Sequence, residues 1–121
     1  QALWSGIRDV AAFHEGQGDV WRVSCKPSDA PGIAARSGAE RWTYDWAGGL
    51  IWLRCAAGHD LRAAIGPMDG HATLVRADAQ TKARLGVFHP ESAGVARLTA
   101  ALRAQFDPKG IFNAGQLDRA A

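Results

Sequence analysis

"RWTYDWAGGLIWLRC", residues 41–55, holds two strands and the reversal between them. Residues 41–46 alternate, with Trp42, Tyr44 and Trp46 on one side, expected inward, and Arg41, Thr43 and Asp45 on the other. That is the pattern of a half-exposed or edge strand. Gly48 and Gly49 offer the positive φ values that a tight reversal needs, so a hairpin is expected. "LIWLRC", residues 50–55, is apolar on both faces, as a central strand is.

An edge strand tied to a central one constrains what lies on either side. Upstream, "DVWRVSC", residues 19–25, alternates, with Trp21, Val23 and Cys25 on one face and Val20, Arg22 and Ser24 on the other. Between these strands, "KPSDAPGIAARSG" offers Ser28 as an N-cap, Pro31 in a first turn and Gly38 as a stop, which predicts a short helix. Downstream, "GHDLRAAIGPMDG" offers Asp60 as an N-cap and a break at Gly66-Pro67, a second short helix. "HATLVR", residues 71–76, is the fourth strand.

The order strand, helix, strand, strand, helix, strand predicts an α+β domain, a ferredoxin-like antiparallel four-stranded sheet (βαββαβ) whose third strand is central and second strand lies at an edge. An additional helix is expected at each end. Leu3, Ile7 and Val10 recur at helical spacing until Gly16 and Gly18. After a polar stretch around residues 78–84, the segment from Pro90 to Phe106 places Val95, Leu98, Leu102 and Phe106 on one stripe, with Arg97 opposite.

Composition excludes several function classes. At 121 residues and 12.9 kDa the chain suits one domain with a real core. A net charge of +2, with the eleven arginines spread along the sequence, argues against a nucleic-acid partner. No apolar run approaches the roughly 18 residues of a membrane helix, and no signal peptide is visible, so a cytoplasmic protein without a transmembrane segment is expected. In that compartment Cys25 and Cys55 are expected as small buried thiols rather than a disulfide.

Motifs for chemistry are sparse. His14, His59, His71 and His89 show no i, i+4 pairing and no Cys-x-x-Cys companion, so no metal site is expected. There is no nucleophile elbow, no P-loop and no dinucleotide-binding glycine fingerprint, and no pair of carboxylates is spaced to share a cleft. No catalytic residue can be nominated. His71 is of interest only because "DGHATLVR" places it at the mouth of a strand.

The tail is richer. In "FDPKGIFNAGQL", residues 106–117, Asp107, Pro108 and Gly110 occupy the preferred positions of a type I turn, so the chain is expected to stop its helix and reverse. Ile111 and Phe112 are then expected to anchor in an apolar socket. Asn113 and Gly115 both tolerate left-handed backbone, so "NAGQ" can bend again and present its amides outward.

This tail resembles the closing motif of FAD-linked oxidases of the vanillyl-alcohol oxidase and p-cresol methylhydroxylase type. "VWRVS", "YDWAGGLIWL", "GHATLVR" and "FHP" occur with it in the order found in the FAD-binding E subunits of bacterial glycolate oxidases, and the likeness covers nearly the whole chain. The resemblance implies that residues 1–121 are a single C-terminal cap or substrate domain of a longer subunit. Its N-terminal FAD-binding domain would lie outside this chain and hold most of the FAD. It implies FAD in the full-length protein, none held tightly by this piece, and a cap that covers the isoalloxazine ring with Asn113, Gly115, Gln116 and His71 as cofactor-side residues. It further implies partners: the FAD-binding domain of the same subunit, a second flavoprotein subunit and an iron–sulfur subunit, with any attachment to the inner membrane peripheral and through them. Ala114 replaces a frequent proline and Gln116 a frequent Lys or Arg, so a neutral amide stands where the family often has a cation. The competing expectation is a stand-alone ferredoxin-like binding or assembly module whose tryptophan-rich face docks a partner.

Overall fold

The structure, a computed structural model, describes residues 2–113. Helix α1 (Ala2–Arg8) leads through a 3-10 turn (Ala11–Phe13) into β1 (Asp19–Cys25), followed by α2 (Ala30–Arg36), β2 (Arg41–Asp45) and β3 (Leu50–Cys55). Then come α3 (Leu61–Ile65), β4 (Gly70–Arg76), α4 (Ala79–Leu85) and α5 (Ala93–Phe106).

The four strands form one sheet in the order β2-β3-β1-β4, with every neighbouring pair antiparallel. Strands β1 and β2 are therefore parallel with β3 between them, and β3 and β4 are parallel with β1 between them. This is the α+β, ferredoxin-like arrangement the element order predicts, with β3 inside and β2 at an edge. Helices α1 and α5 stand at the two ends, as expected. The polar stretch around residues 78–84 is a further helix, α4. Asp78 caps it by accepting a hydrogen bond from the Thr81 amide (2.6 Å), a signal outweighed in the sequence by the lack of an apolar stripe.

One face of the sheet makes the core. Trp21 and Val23 of β1, Ile51 and Leu53 of β3, and Ala72 and Leu74 of β4 pack with Ile33 of α2, Leu61 and Ile65 of α3 and Leu85 of α4. Each large side chain buried there contributes about 1.5–3 kcal/mol. Arg62 binds the layers together: its guanidinium donates to the carbonyls of Ala72, Leu85, Gly86 and Val87 and lies 4.8 Å from the centre of the Trp21 ring. Asp60 caps α3 by accepting from the Ala63 amide, as expected (3.1 Å).

Three local expectations are corrected. Asp29, not Ser28, precedes α2, and Ser28 instead donates to the Asp29 carboxylate. In the β2–β3 reversal Gly48 has positive φ (93°) but Gly49 does not (−74°); Trp46 (49°) and Ala47 (51°) take up the left-handed backbone. Asp45 caps this turn through the Trp46 amide (2.8 Å), which leaves Trp46 71% exposed. Trp42 and Tyr44 do lie on the core side of the sheet, opposite Leu53 and Ile51, yet both remain exposed.

Candidate functional site

The second face of the sheet carries a different population of side chains. Strand register puts Thr43, Trp52, Arg22 and Thr73 in one row across β2, β3, β1 and β4. Asp45, Leu50, Ser24 and His71 make the next row, and Arg41, Arg54, Val20 and Arg76 the row on the other side.

The arginine row is held under the segment that follows α1. Arg41 donates to the Ala12 carbonyl (3.4 Å), with its guanidinium 5.7 Å from the Phe13 ring centre, and Arg54 donates to the Glu15 carbonyl (3.4 Å). Arg76 donates to the carbonyls of Phe13, His14, Gly16 and Gly18. These bonds satisfy carbonyls of an irregular segment that has no ladder of its own, and Phe13 is buried beneath it. Val10, just after α1, adopts a left-handed backbone (φ 54°) that a β-branched residue rarely takes.

This segment leaves apolar surface open. A cleft of about 370 Å³ runs between α1 and the β2 side of the sheet, lined by Leu3, Ile7, Val10, Phe13, Tyr44 and Trp52 among others. A neighbouring cleft of about 280 Å³ lies by Phe13, Val20, Trp52 and Val75. Leu3 is 76% exposed, and Trp4 and Ile7 are also exposed. A third cleft, of about 400 Å³, lies between α3 and the end of α4, but its cations are engaged: Arg62 as described, and Arg84 with the Gly58 carbonyl (2.7 Å).

Helix α5 repeats the theme. Its stripe of Val95, Leu98, Leu102 and Phe106 has the spacing of a core-facing helix, yet all four side chains are exposed, Phe106 to 77%. The tail beyond it makes the expected reversal: the Gly110 amide donates to the Asp107 carbonyl (3.0 Å), and Gly110 takes φ 61°. The expected apolar socket is not found among the described residues. Ile111 and Phe112 are exposed, the latter to 68%. What orders them is the Asp107 carboxylate, which accepts from the Ile111 amide (3.0 Å) and the Phe112 amide (2.9 Å). Those backbone donors hold the Asp107 carboxyl below the usual carboxylate range.

His71 is the second residue of β4. It stands exposed opposite Ser24, next to Gly70, where any Cβ would run into the Ser24 carbonyl. Lys26 and Asp69 tie that corner by an exposed ion pair (2.9 Å). Asn113 has the left-handed backbone its residue type tolerates (φ 49°). Gly115 and Gln116 lie outside the described residues. Neither His71 nor Asn113 lines any of the three clefts.

Compared with known proteins, the chain is 34% identical over 117 residues to glycolate oxidase subunit GlcE of Escherichia coli (strain K12). This chain is similar to part of a glycolate oxidase subunit. The match takes in 95% of the chain and 31% of GlcE, so the chain spans under a third of that relative's length. No family model matches the chain, and no solved structure matches it. The likeness read from the motifs is thereby borne out at the level of the glycolate oxidase E subunit.

Among the described residues no group of three or more His, Cys, Asp or Glu is placed to hold a metal ion, and no helix is long and apolar enough to cross a membrane. Cys25 and Cys55 are free. Cys55 pairs with Asp19 at one end of β1 and Cys25 sits at the other, about 20 Å away at the usual rise of a strand. Burial pushes the Cys55 thiol up to about 11, with the charges of Asp19 and Glu40 adding to the effect, so it is an inert core residue. Arg22 was not singled out by sequence reasoning. The alternation of "VWRVS" already placed it opposite the core face; the signal that distinguishes it, the fate of its three neighbouring arginines, exists only in three dimensions.

Proposed function

We propose that residues 1–121 are the C-terminal cap domain of an FAD-linked oxidoreductase subunit of the glycolate oxidase type. Its open sheet face and apolar flanks would cover the flavin and shape the substrate or subunit-contact surface. The observation that carries this reading is the likeness to GlcE along 95% of the chain. The exposed apolar residues of α1 and α5 support it, because they are spaced to be buried and the core of this domain is built without them.

The donors on the open face fit contact with a flavin ring. Thr43, Thr73, Ser24 and His71 offer hydroxyl and imidazole groups on a flat, strand-built surface beside Trp52, and Asn113 offers an amide next to an ordered reversal. The flavin supplies the electron-accepting chemistry when it is bound. This chain's residues orient, cover and exclude water. Asn113, Gly115, Gln116 and His71 are the residues proposed to face the cofactor. The partners on this reading are the N-terminal FAD-binding domain of the same subunit, a second flavoprotein subunit and an iron–sulfur subunit. The substrate is glycolate or a related 2-hydroxy acid of either hand, and the assembly sits in the cytoplasm.

A direct test compares flavin absorbance of the purified 121-residue chain with that of the product of the complete reading frame that contains it. Flavin is expected in the longer protein alone. Tight flavin binding by the 121 residues, or a reading frame that encodes no flavin-binding domain, would overturn the proposal. The same apolar exposure favours one other reading, a stand-alone binding or assembly module. Under it the isolated chain self-associates or captures a partner without any flavin-bearing domain, and a strictly monomeric chain in solution sizing counts against it.

A further inference from the structure

The open face carries four arginines, and three of them are committed. Arg41, Arg54 and Arg76 all donate to backbone carbonyls of residues 12–18. The Arg22 side chain makes no hydrogen bond or ion pair among the described residues. It is no peripheral side chain, since it occupies the middle of β1, an interior strand, with Trp52 directly across on β3 and Thr73 directly across on β4. Thr43 extends that row, and Ser24 and His71 begin the next.

We infer that Arg22 is the anchor for the carboxylate of a small 2-hydroxy acid held on this face, with the hydroxyls of Thr73 and Ser24 and the imidazole of His71 at hand for the neighbouring hydroxyl. The inference rests on the cap reading proposed above. If a flavin-bearing domain covers this face, Arg22 loses its water. An unpaired guanidinium enclosed in this way is strongly unfavourable unless an anion is enclosed with it. The planar fork of arginine matches a carboxylate through two parallel hydrogen bonds, which a lysine ammonium does not reproduce. Trp52, half-buried across the row, provides an apolar wall that strengthens the pairing by excluding water. A carboxylate side chain from the covering domain would satisfy the same chemistry, and the test separates the two sources.

The experiment uses the full-length protein, with oxalate as the probe and calorimetry as the readout, so that binding is measured whether or not flavin is present. Flavin absorbance is recorded on the same samples. Arg22→Met is expected to weaken oxalate binding about ten- to a hundred-fold, with Arg22→Lys intermediate and flavin content unchanged. Because Arg22 holds no other residue in place, both variants are expected to unfold at the wild-type denaturant midpoint. Oxalate affinity unchanged in both variants, or no oxalate binding by the wild type, overturns the inference. Loss of flavin from Arg22→Met with oxalate affinity intact also overturns it, by assigning the partner to a side chain of the covering domain. A wild type that binds oxalate through Arg22 but carries no flavin leaves the anchor standing and removes the cap reading instead.

Discussion

The two faces of the sheet are made by the same four strands, yet they solve different problems. On the covered face Trp21, Val23, Ile51, Leu53 and Leu74 meet helices that return their contacts, and Arg62 satisfies four carbonyls at once. On the open face the arginines are used to hold down an irregular segment, and the apolar residues of α1 remain in solvent. Helix α5 behaves like the open face, with a core-type stripe left exposed among the described residues. Among the described residues, the non-glycine residues with positive φ, Val10, Trp46, Ala47 and Asn113, lie outside the packed face as well. The contrast locates the packed core of this domain on one side and its strained backbone and exposed apolar area on the other.

That contrast can be broken by substitution. Leu53→Ala on the covered face is expected to cost about 2–5 kcal/mol in urea unfolding, whereas Leu98→Ala on α5 should stay within about 0.5 kcal/mol. Equal costs would mean that α5 is packed in solution. Arg62→Met, which orphans carbonyls of β4 and the segment after α4, is expected to destabilise by about 2–4 kcal/mol; an unchanged denaturant midpoint would refute its role as a tie. Ala47→Gly should stabilise by about 1 kcal/mol, because glycine adopts the observed left-handed backbone without the Cβ penalty. A destabilised Ala47→Gly variant would show that the hairpin is held by something other than its dihedrals.

The smallest effect is confined to the tail. Asp107 has its carboxyl held below the ordinary value by the amides of Phe112 and Ile111, so the order it imposes is full above the unfolded value of about 3.9 and is lost as pH falls through the lower folded one. The Ile111 and Phe112 amide resonances should therefore titrate with a midpoint below about 3.9, and the titration should vanish in Asp107→Asn. A midpoint at or above that value would remove the carboxylate from the account of the tail.

The strands were legible because alternation and continuous apolarity report directly on one-sided and two-sided burial. "RWTYDW" and "LIWLRC" therefore named an edge and a centre correctly. Helix α4 was not legible, since it buries little more than Thr81 and Leu85 and so has no apolar stripe to read. The inward placement expected of the Trp42, Tyr44 and Trp46 side was half right: register aligns the first two with the core, but among the described residues no helix covers them. The socket expected for Ile111 and Phe112 followed from residue type alone. An apolar side chain states that burial is favourable without stating which surface provides it.

By itself, then, the sequence determined the α+β topology, the caps at Asp60 and the reversal at Asp107 to Gly110, and the motifs that tie the chain to a glycolate oxidase subunit, because each of these is encoded within a few neighbouring residues. Only the tertiary structure decided that α5 and the N-terminal helix keep their apolar residues outside, that the Asp107 carboxylate orders Ile111 and Phe112, and that Arg22 alone of the four arginines on the open face is left uncommitted among the described residues. Those outcomes depend on which distant backbone carbonyls and side chains arrive within reach, and local periodicity carries no information about that.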